Sequence, residues 1–477
     1  MKKSIATALL FVLAFGLCAC QAAPEKEAVV SKNNALFASA LTGAQETDSD
    51  GEENIQQEKT PSVVADAFTS SDNTISYTLN MAEPLPGSAL PILEVTPHTI
   101  TAEEAEYVAH IFFGDVELHE YSEERSKSEI EAKILEIRRN ISDRDAMIKK
   151  YEDEAFVDSL IAMYESSIQR YLEQYELAPD TVNEKLCDWT FQPPSHYYDD
   201  AMYKSNDDYE SYNKSEYILA CASINGVPYI FNACNRNEAD YRIHDIFIYV
   251  DDADPLVLYD TVEPTQKEID KVRETAENIL GKLPWGEWAA DACNVEEIME
   301  TEGEKYYQIV VSASRIYEGI KTTHCEQLFN LRSDNIYAPN YYYETVTLKF
   351  AKGICVFMEI ESPMDIVGIV NDNAATLPFG EIIAKLTKFL KVSNVLDGEY
   401  PMTDSMEAMV AVNSVEMGLS RISIKNNETD FYMIPTYTFY GDVVFRSEDG
   451  ISSTIQAKKL ATINAVDGSI INTELGY

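Results

Sequence analysis

Leu17-Cys18-Ala19-Cys20 is the stretch whose residue types and spacing point to one definite chemistry. A small residue followed by cysteine, at the end of an apolar run, fits cleavage and thiol acylation. Cutting after Ala19 leaves Cys20 as a lipid-bearing N-terminus. Cys18 fits that role less well, because bulky Leu17 would then sit beside the cut. Lys2 and Lys3 supply the positive start, and Ile5 to Leu17 is apolar or small apart from Thr7. The run is short of the roughly 20 residues a membrane span needs. Diacylated and N-acylated, Cys20 would hold the chain firmly at a membrane, since stable anchoring takes more than one acyl chain. Everything after it is expected outside the cytoplasm.

A second candidate lies in the irregular stretch 187–217, which is rich in Tyr and Asp. Tyr197, Tyr198, Asp199, Asp200, Tyr209 and Tyr212 set aromatic faces beside carboxylates, a combination that binds sugars or cationic groups. The same composition also makes a plain solvated loop. Asp251, Asp252 and Asp254 form a short acidic turn. Asp48-Ser49-Asp50-Gly51 starts like a calcium loop but lacks its later ligands.

Other chemistry is argued against. HExxH, GxSxG, a P-loop and GxGxxG after a strand are all missing. Ser211 to Lys214 matches SxxK in a loop rather than at a helix start. His324 and Cys325 are neighbours in sequence, whereas a nucleophile and its base must meet in space. The histidines are scattered and no CxxC occurs, so neither a metal site nor a cofactor is expected. Cys187, Cys221, Cys234, Cys293, Cys325 and Cys355 read mainly as buried thiols, with room for one bridge. The net charge of −44 repels phosphate backbones, so nucleic acid is not an expected partner. No catalytic residue is assigned. Among 81 acids a glycosidase-type carboxylate pair cannot be singled out.

The elements that would carry these residues follow from pattern. Residues 1–20 are the export signal and 21–62 an acidic, polar tether expected to be disordered. Residues 63–121 hold strands near Ile75–Leu79 and Ile92–Val95, then a helix capped by Thr101 and Glu104 and closed by Gly114. Residues 122–178 lack Gly and Pro. Ile130, Ile134, Ile137 and Ile141, then Val157, Ile161, Tyr164 and Ile168, fall at heptad spacing in two phases, which predicts a helical hairpin.

Residues 179–262 hold the Tyr/Asp loop and a hairpin turning at Asn225-Gly226, with Cys221 facing Ile230 and Cys234 facing Tyr217. Helix 265–280 leads strands at 306–316, 344–350 and 354–361. Helix 378–390 leads strands at 414–424, 431–440 and 460–465. The expected class is therefore α+β. It comprises two helix-plus-antiparallel-sheet modules at 263–374 and 375–477, an N-terminal β/α segment and a helical hairpin insertion.

Val415-Glu416-Met417-Gly418-Leu419, Met433-Ile434-Pro435-Thr436-Tyr437 and Ile463-Asn464-Ala465-Val466-Asp467-Gly468-Ser469-Ile470 resemble the C-terminal domain of the YycH/YycI accessory proteins. More loosely, they are similar to PepSY-type domains. Tyr437 stands where the accessory proteins usually show Trp. Ile75 to Pro86, the Thr101–Gly114 helix, the helical hairpin and the Asn464–Gly468 turn resemble an uncharacterised lipoprotein family of gut clostridia. The accessory resemblance implies an extracytoplasmic regulator that acts by contact. The resulting expectation is a lipid-anchored, non-enzymatic binding or accessory protein. Its partner would be a membrane sensor, a transporter or a cell-wall component. The rivals are a hydrolase of wall or dietary polymer and a structural spacer.

Overall fold

The fold was obtained as a computed structural model. It describes residues 34–42, 63–71, 74–84, 89–122, 125–151, 154–182, 185–197, 215–237, 242–251, 258–301, 304–323, 343–393, 396, 406–424, 427, 429–447 and 452–472. The chain begins with α1 (Asn34–Thr42), β1 (Val63–Thr69), β2 (Ile75–Ala82) and β3 (Ile92–Pro97). Then come α2 (Ala102–Phe113), β4 (His119–Glu120), α3 (Lys127–Asn140), α4 (Arg144–Tyr151) and α5 (Glu154–Leu177). Strands β5 (Ser215–Ile224), β6 (Val227–Asn237) and β7 (Arg242–Val250) lead to α6 (Gln266–Leu280). After it run β8 (Glu287–Thr301), β9 (Glu304–Tyr317), β10 (Ile320–Lys321), β11 (Thr345–Ala351), β12 (Ile354–Glu361) and β13 (Met364–Asn371). Helix α7 (Phe379–Val392) precedes β14 (Met406–Ser423), β15 (Phe431–Ser447), β16 (Ser452–Asn464) and β17 (Ile470–Ile471).

The chain divides into two units. The first takes Met1–Ile92, Val370–Gly418 and Ile434–Asn472. Its strands run in the order β1-β2-β14-β15-β16-β17. β2 alternates buried and exposed, so Ile75, Tyr77, Leu79 and Met81 all face the core. On α7, Phe379, Ile382, Leu386 and Leu390 recur at three- and four-residue steps and pack into the same core with Val410, Val412, Phe439 and Val443. Tyr437 is buried here, its ring 5.4 Å from Phe379.

The second unit takes Leu93–Ile369 and Leu419–Met433, with Thr473–Tyr477. A nine-stranded sheet runs β10-β9-β11-β12-β7-β6-β5-β4, with β8 on β9. Helix α6 sets Val272, Ala276 and Leu280 against it, and α2 adds Val108 and Phe113. β3 pairs with β13 and, through Phe431↔Val95, with the start of β15. Ile130, Ile134 and Ile168 make a small separate core between α3 and α5.

This overturns the expected fold class. Among the described residues the protein is sheet-dominated, with 46% strand against 29% helix, and is not built as helix-plus-sheet modules with a β/α segment and a helical hairpin insertion. Pairing across the sequence is the physical reason. β2 joins β14 in parallel (Ile75↔Ala408), which draws the N-terminal strands into the sheet packed on α7. β7 joins β12 (Ile248↔Met358), so strands from 215–250 and 345–361 share one sheet. Helix-then-strand order along the chain does not reveal which strands bond.

Candidate functional site

Of the Tyr/Asp candidates, Tyr197 falls among the described residues, while Tyr198, Asp199, Asp200, Tyr209 and Tyr212 lie outside them. So do Leu17, Cys18, Ala19, Cys20, Asp48–Gly51, Ser211–Lys214, Asp252, Asp254 and the His324-Cys325 pair. Tyr197 ends the short turn Pro194–His196. Its hydroxyl donates to the Tyr217 carbonyl at 3.5 Å, and its ring lies edge-on to His196 at 4.8 Å. His196 Nε2 lies 2.7 Å from Glu120 Oε1. Burial pushes the Tyr197 phenol up to about 12, so it stays neutral. Burial also pushes the nearby Cys187 thiol up to about 11, which disfavours a thiolate nucleophile. Cys187, Cys221, Cys234, Cys293 and Cys355 are thiols rather than disulfides.

A second cluster of polar contacts lies elsewhere in the second unit, around the start of β13. Thr101 caps α2 because its N–H and hydroxyl both donate to Glu104 Oε2 at 2.8 Å, and its Oγ1 accepts from the Glu104 N–H at 3.2 Å. The same carboxylate takes His98 Nε2 at 2.9 Å and the Trp285 indole N–H at 3.1 Å. His98 Nδ1 lies 2.9 Å from Asp365 Oδ2 on β13, so the ring bridges two carboxylates. Burial disfavours the charged ring, yet the hydrogen bonds and charges of Glu104 and Asp365 outweigh it and raise the His98 pKa. Burial pushes Glu104 the other way, but the Thr101 N–H and His98 bring it below the usual carboxylate value.

One residue earlier, Met364 is held through its backbone. Its N–H donates to Glu344 Oε1 at 2.9 Å, and its carbonyl accepts from Arg315 Nη1 at 2.6 Å. Arg315 Nη1 also pairs with Glu344 Oε1 at 2.6 Å, and the Tyr317 hydroxyl donates to Glu344 Oε2 at 2.6 Å. The Glu344 side chain is 2% exposed, so all these bonds form away from water. Burial drives the Tyr317 phenol well above its ordinary value, and the Glu344 charge adds to it. Arg421 is buried between the rings of Tyr343 (5.0 Å) and Phe431 (4.8 Å), with Nη1 3.5 Å from Met364 Sδ. The His98 N–H donates to the Pro363 carbonyl at 2.8 Å. Residues 363–365 are thus gripped from several elements.

Beyond this clamp β13 changes character. Ile366 is 43% exposed, Val367 59% and Ile369 57%. Among the described strands, β13 pairs only with β3. The result is an apolar, β-branched edge strand with a rigid start. Sequence reasoning singled out Glu104 as a cap but missed His98, Arg315, Glu344 and Asp365. The one signal in the sequence was the apolar run Ile366–Val370, with Asp365 before it and Asp372 after it. Among the described residues, no cluster of three or more His, Cys, Asp or Glu is placed to hold a metal ion, and no helix is long and apolar enough to cross a membrane.

No family model matches the chain, and no curated protein matches it. Among solved structures it is similar to an uncharacterised protein from Eubacterium rectale. That likeness has 10% identity and a TM-score of 0.34, and covers 93% of this chain and 99% of the other. At that score it bears on neither fold nor function.

Proposed function

We propose that this is a lipid-anchored extracytoplasmic protein, held at the membrane through Cys20, that works by binding rather than catalysis. Its partner would be a membrane sensor, a transporter or a cell-wall component. The observation that carries the binding part is the exposed run Ile366, Val367 and Ile369 on an edge strand. An edge of that kind is a template for another chain, and proteins that do not use one ordinarily cover or charge it. Leu17 to Cys20 supports the anchor.

Crosslinking in living cells, with the Cys20-anchored protein as bait and mass spectrometry as readout, tests the reading. Recovery of one membrane or wall component that disappears from a Val367→Lys variant is the expected result. Recovery of abundant neighbours alone would overturn it. Fractionation of a Cys20→Ala variant tests the anchor separately, with loss from the membrane fraction expected.

A hydrolase is the second reading, and one observation favours it: His98 set between Glu104 and Asp365, a geometry that can pass a proton. Turnover of a wall or dietary glycan that falls at least about 100-fold in His98→Gln would favour that reading over binding.

A further inference from the structure

We propose that residues 366–369 of β13 form a docking edge for an extended peptide strand with an apolar centre and basic flanks. This rests on the binding reading above and names the chemistry of the partner. Strand addition uses main-chain bonds for affinity and alternate side chains for selectivity. The edge suits it. Ile366 and Val367 are successive residues, so they point to opposite faces of the strand, and both are exposed. A Cβ built at Gly368 meets nothing within 4 Å, so the face on which Gly368 lies is open there as well. The protections expected of an unused edge, lysine or proline, are absent from Met364–Asn371, whose single charge is Asp365. The clamp on residues 363–365 fixes the start of the strand, so little ordering remains to be done on binding.

Charge identifies the occupant. The sequence brackets the apolar run with Asp365 and Asp372. The Asp365 side chain is 56% exposed and Asp372 is exposed as well. In an antiparallel pairing of two copies centred on residues 365–372, Asp365 of each copy would face Asp372 of the other. Like charges directly opposite destabilise a sheet, and two-fold symmetry would impose the contact twice. Within residues 21–62 the chain already forms α1 (Asn34–Thr42), whose Ala40 carbonyl accepts from the Asn371 side chain at 2.8 Å, and the remaining residues carry more acids than bases and are mismatched in the same way. A foreign strand with Lys or Arg at those two places turns both repulsions into attractions, and the excess of 81 acids over 37 bases steers it in.

The test uses the full chain in detergent and two fluorescent, end-capped peptides of about eight residues, the length of an ordinary strand. Both alternate valine and threonine. One has lysine at each end and the other glutamate. The lysine peptide is expected to bind saturably and the glutamate peptide at least about tenfold more weakly, with the gap narrowing as salt rises. The double variant Val367→Lys, Ile369→Lys is expected to lose the lysine peptide while keeping its circular dichroism and melting temperature. Equal binding of the two peptides, no binding to the unmodified chain, or full binding to the double variant would each overturn the proposal. So would a concentration-dependent dimer in ultracentrifugation that the double variant abolishes, because a second copy would then be the occupant. None of these results depends on where Cys20 is anchored. Failure here with a partner still recovered by crosslinking and kept by Val367→Lys would overturn this edge while leaving a binding role elsewhere on the chain standing.

Discussion

In the first unit the buried Asp467 accepts from the N–H and hydroxyl of Ser469, and Asn464 accepts from the N–H of Val466. Each bond spans two residues and closes one turn, helped by Gly468 at φ 72°. In the second unit the buried Glu344 reaches Arg315, Tyr317 and Met364, residues 29, 27 and 20 positions away. Both carboxylates are satisfied, but to different ends. The local bonds shape the piece of chain that contains them. The distant ones tie several elements to a single backbone position, Met364, from which an exposed strand departs. A closed network of charges is an expensive way to hold a strand, because each member must be paired once it leaves water. It is also a rigid one, and rigidity is what a docking edge uses.

The largest effect expected of any single change comes from breaking that network. Glu344→Ala leaves Arg315 buried without its main counter-charge and removes the acceptor for Tyr317 and for the Met364 N–H. The expected loss is about 3–5 kcal/mol in urea unfolding. Replacing both partners with apolar residues, Glu344→Leu with Arg315→Met, should recover much of it, because the penalty is chiefly the orphaned charge. If the double variant is no better than the single one, the network is not what holds Met364.

In the first unit the comparable point is a close approach of backbones, not a charge. A Cβ at Gly441 on β15 would come within 2.6 Å of the Ala411 carbonyl oxygen on β14 and 2.9 Å of Leu460. Gly441→Ala should therefore cost about 1–3 kcal/mol, with hydrogen exchange rising in β14 to β16. Unchanged exchange in those strands would mean that the sheet gives way at no cost.

What the sequence revealed followed the same division between local and distant bonds. Asn225-Gly226 predicts the β5–β6 turn and its register, and the structure pairs Cys221 with Ile230 and Tyr217 with Cys234. Lys352-Gly353 turns β11 into β12, and the Thr-x-x-Glu boxes start α2 and α6. All of these are bonds between near neighbours. β8 was not foreseen, because bulges at Ala290/Ala292 and Glu297/Met299 break its alternation. The parallel β2–β14 pairing was not foreseen either, because nothing near Ile75 names Ala408. The candidate site fared likewise. Among 81 acids, Glu344 and Asp365 carry no local mark, and their partners come from other elements.

The two Thr-x-x-Glu capping boxes allow a smaller test at matched chemistry. In each, the threonine N–H and hydroxyl donate to the glutamate three residues on, at 2.8 and 2.8 Å for Thr101 and 2.8 and 2.7 Å for Thr265. Glu104 differs in also holding His98 and Trp285. Thr101→Ala should cost about 1 kcal/mol. Thr265→Ala should cost less, because among the described residues no buried partner depends on its glutamate. Equal melting temperatures for the two variants would show that the His98 link adds nothing to the cap.

The smallest effect expected is the pH dependence of that link, and its sign distinguishes the clamp from an inert contact. The His98 pKa is raised above the ordinary 6.5, so the folded state binds its proton more tightly than the unfolded chain does. The stability this gives is complete below about 6.5 and is lost as pH rises through the raised value. Glu104 is lowered from its ordinary 4.5, so its contribution is present above that value and is lost as pH falls through the lowered one. Together they place the strongest His98–Glu104–Asp365 contact between about 4.5 and 6.5, where the ring is charged and Glu104 is ionised. Unfolding midpoints of the unmodified chain and of His98→Gln, compared across pH 4 to 9, should therefore differ most in that window and converge at higher pH. A constant difference across the range would mean that His98 packs against its neighbours without exchanging a proton with the solvent, and the clamp would then rest on Arg315 and Glu344 alone.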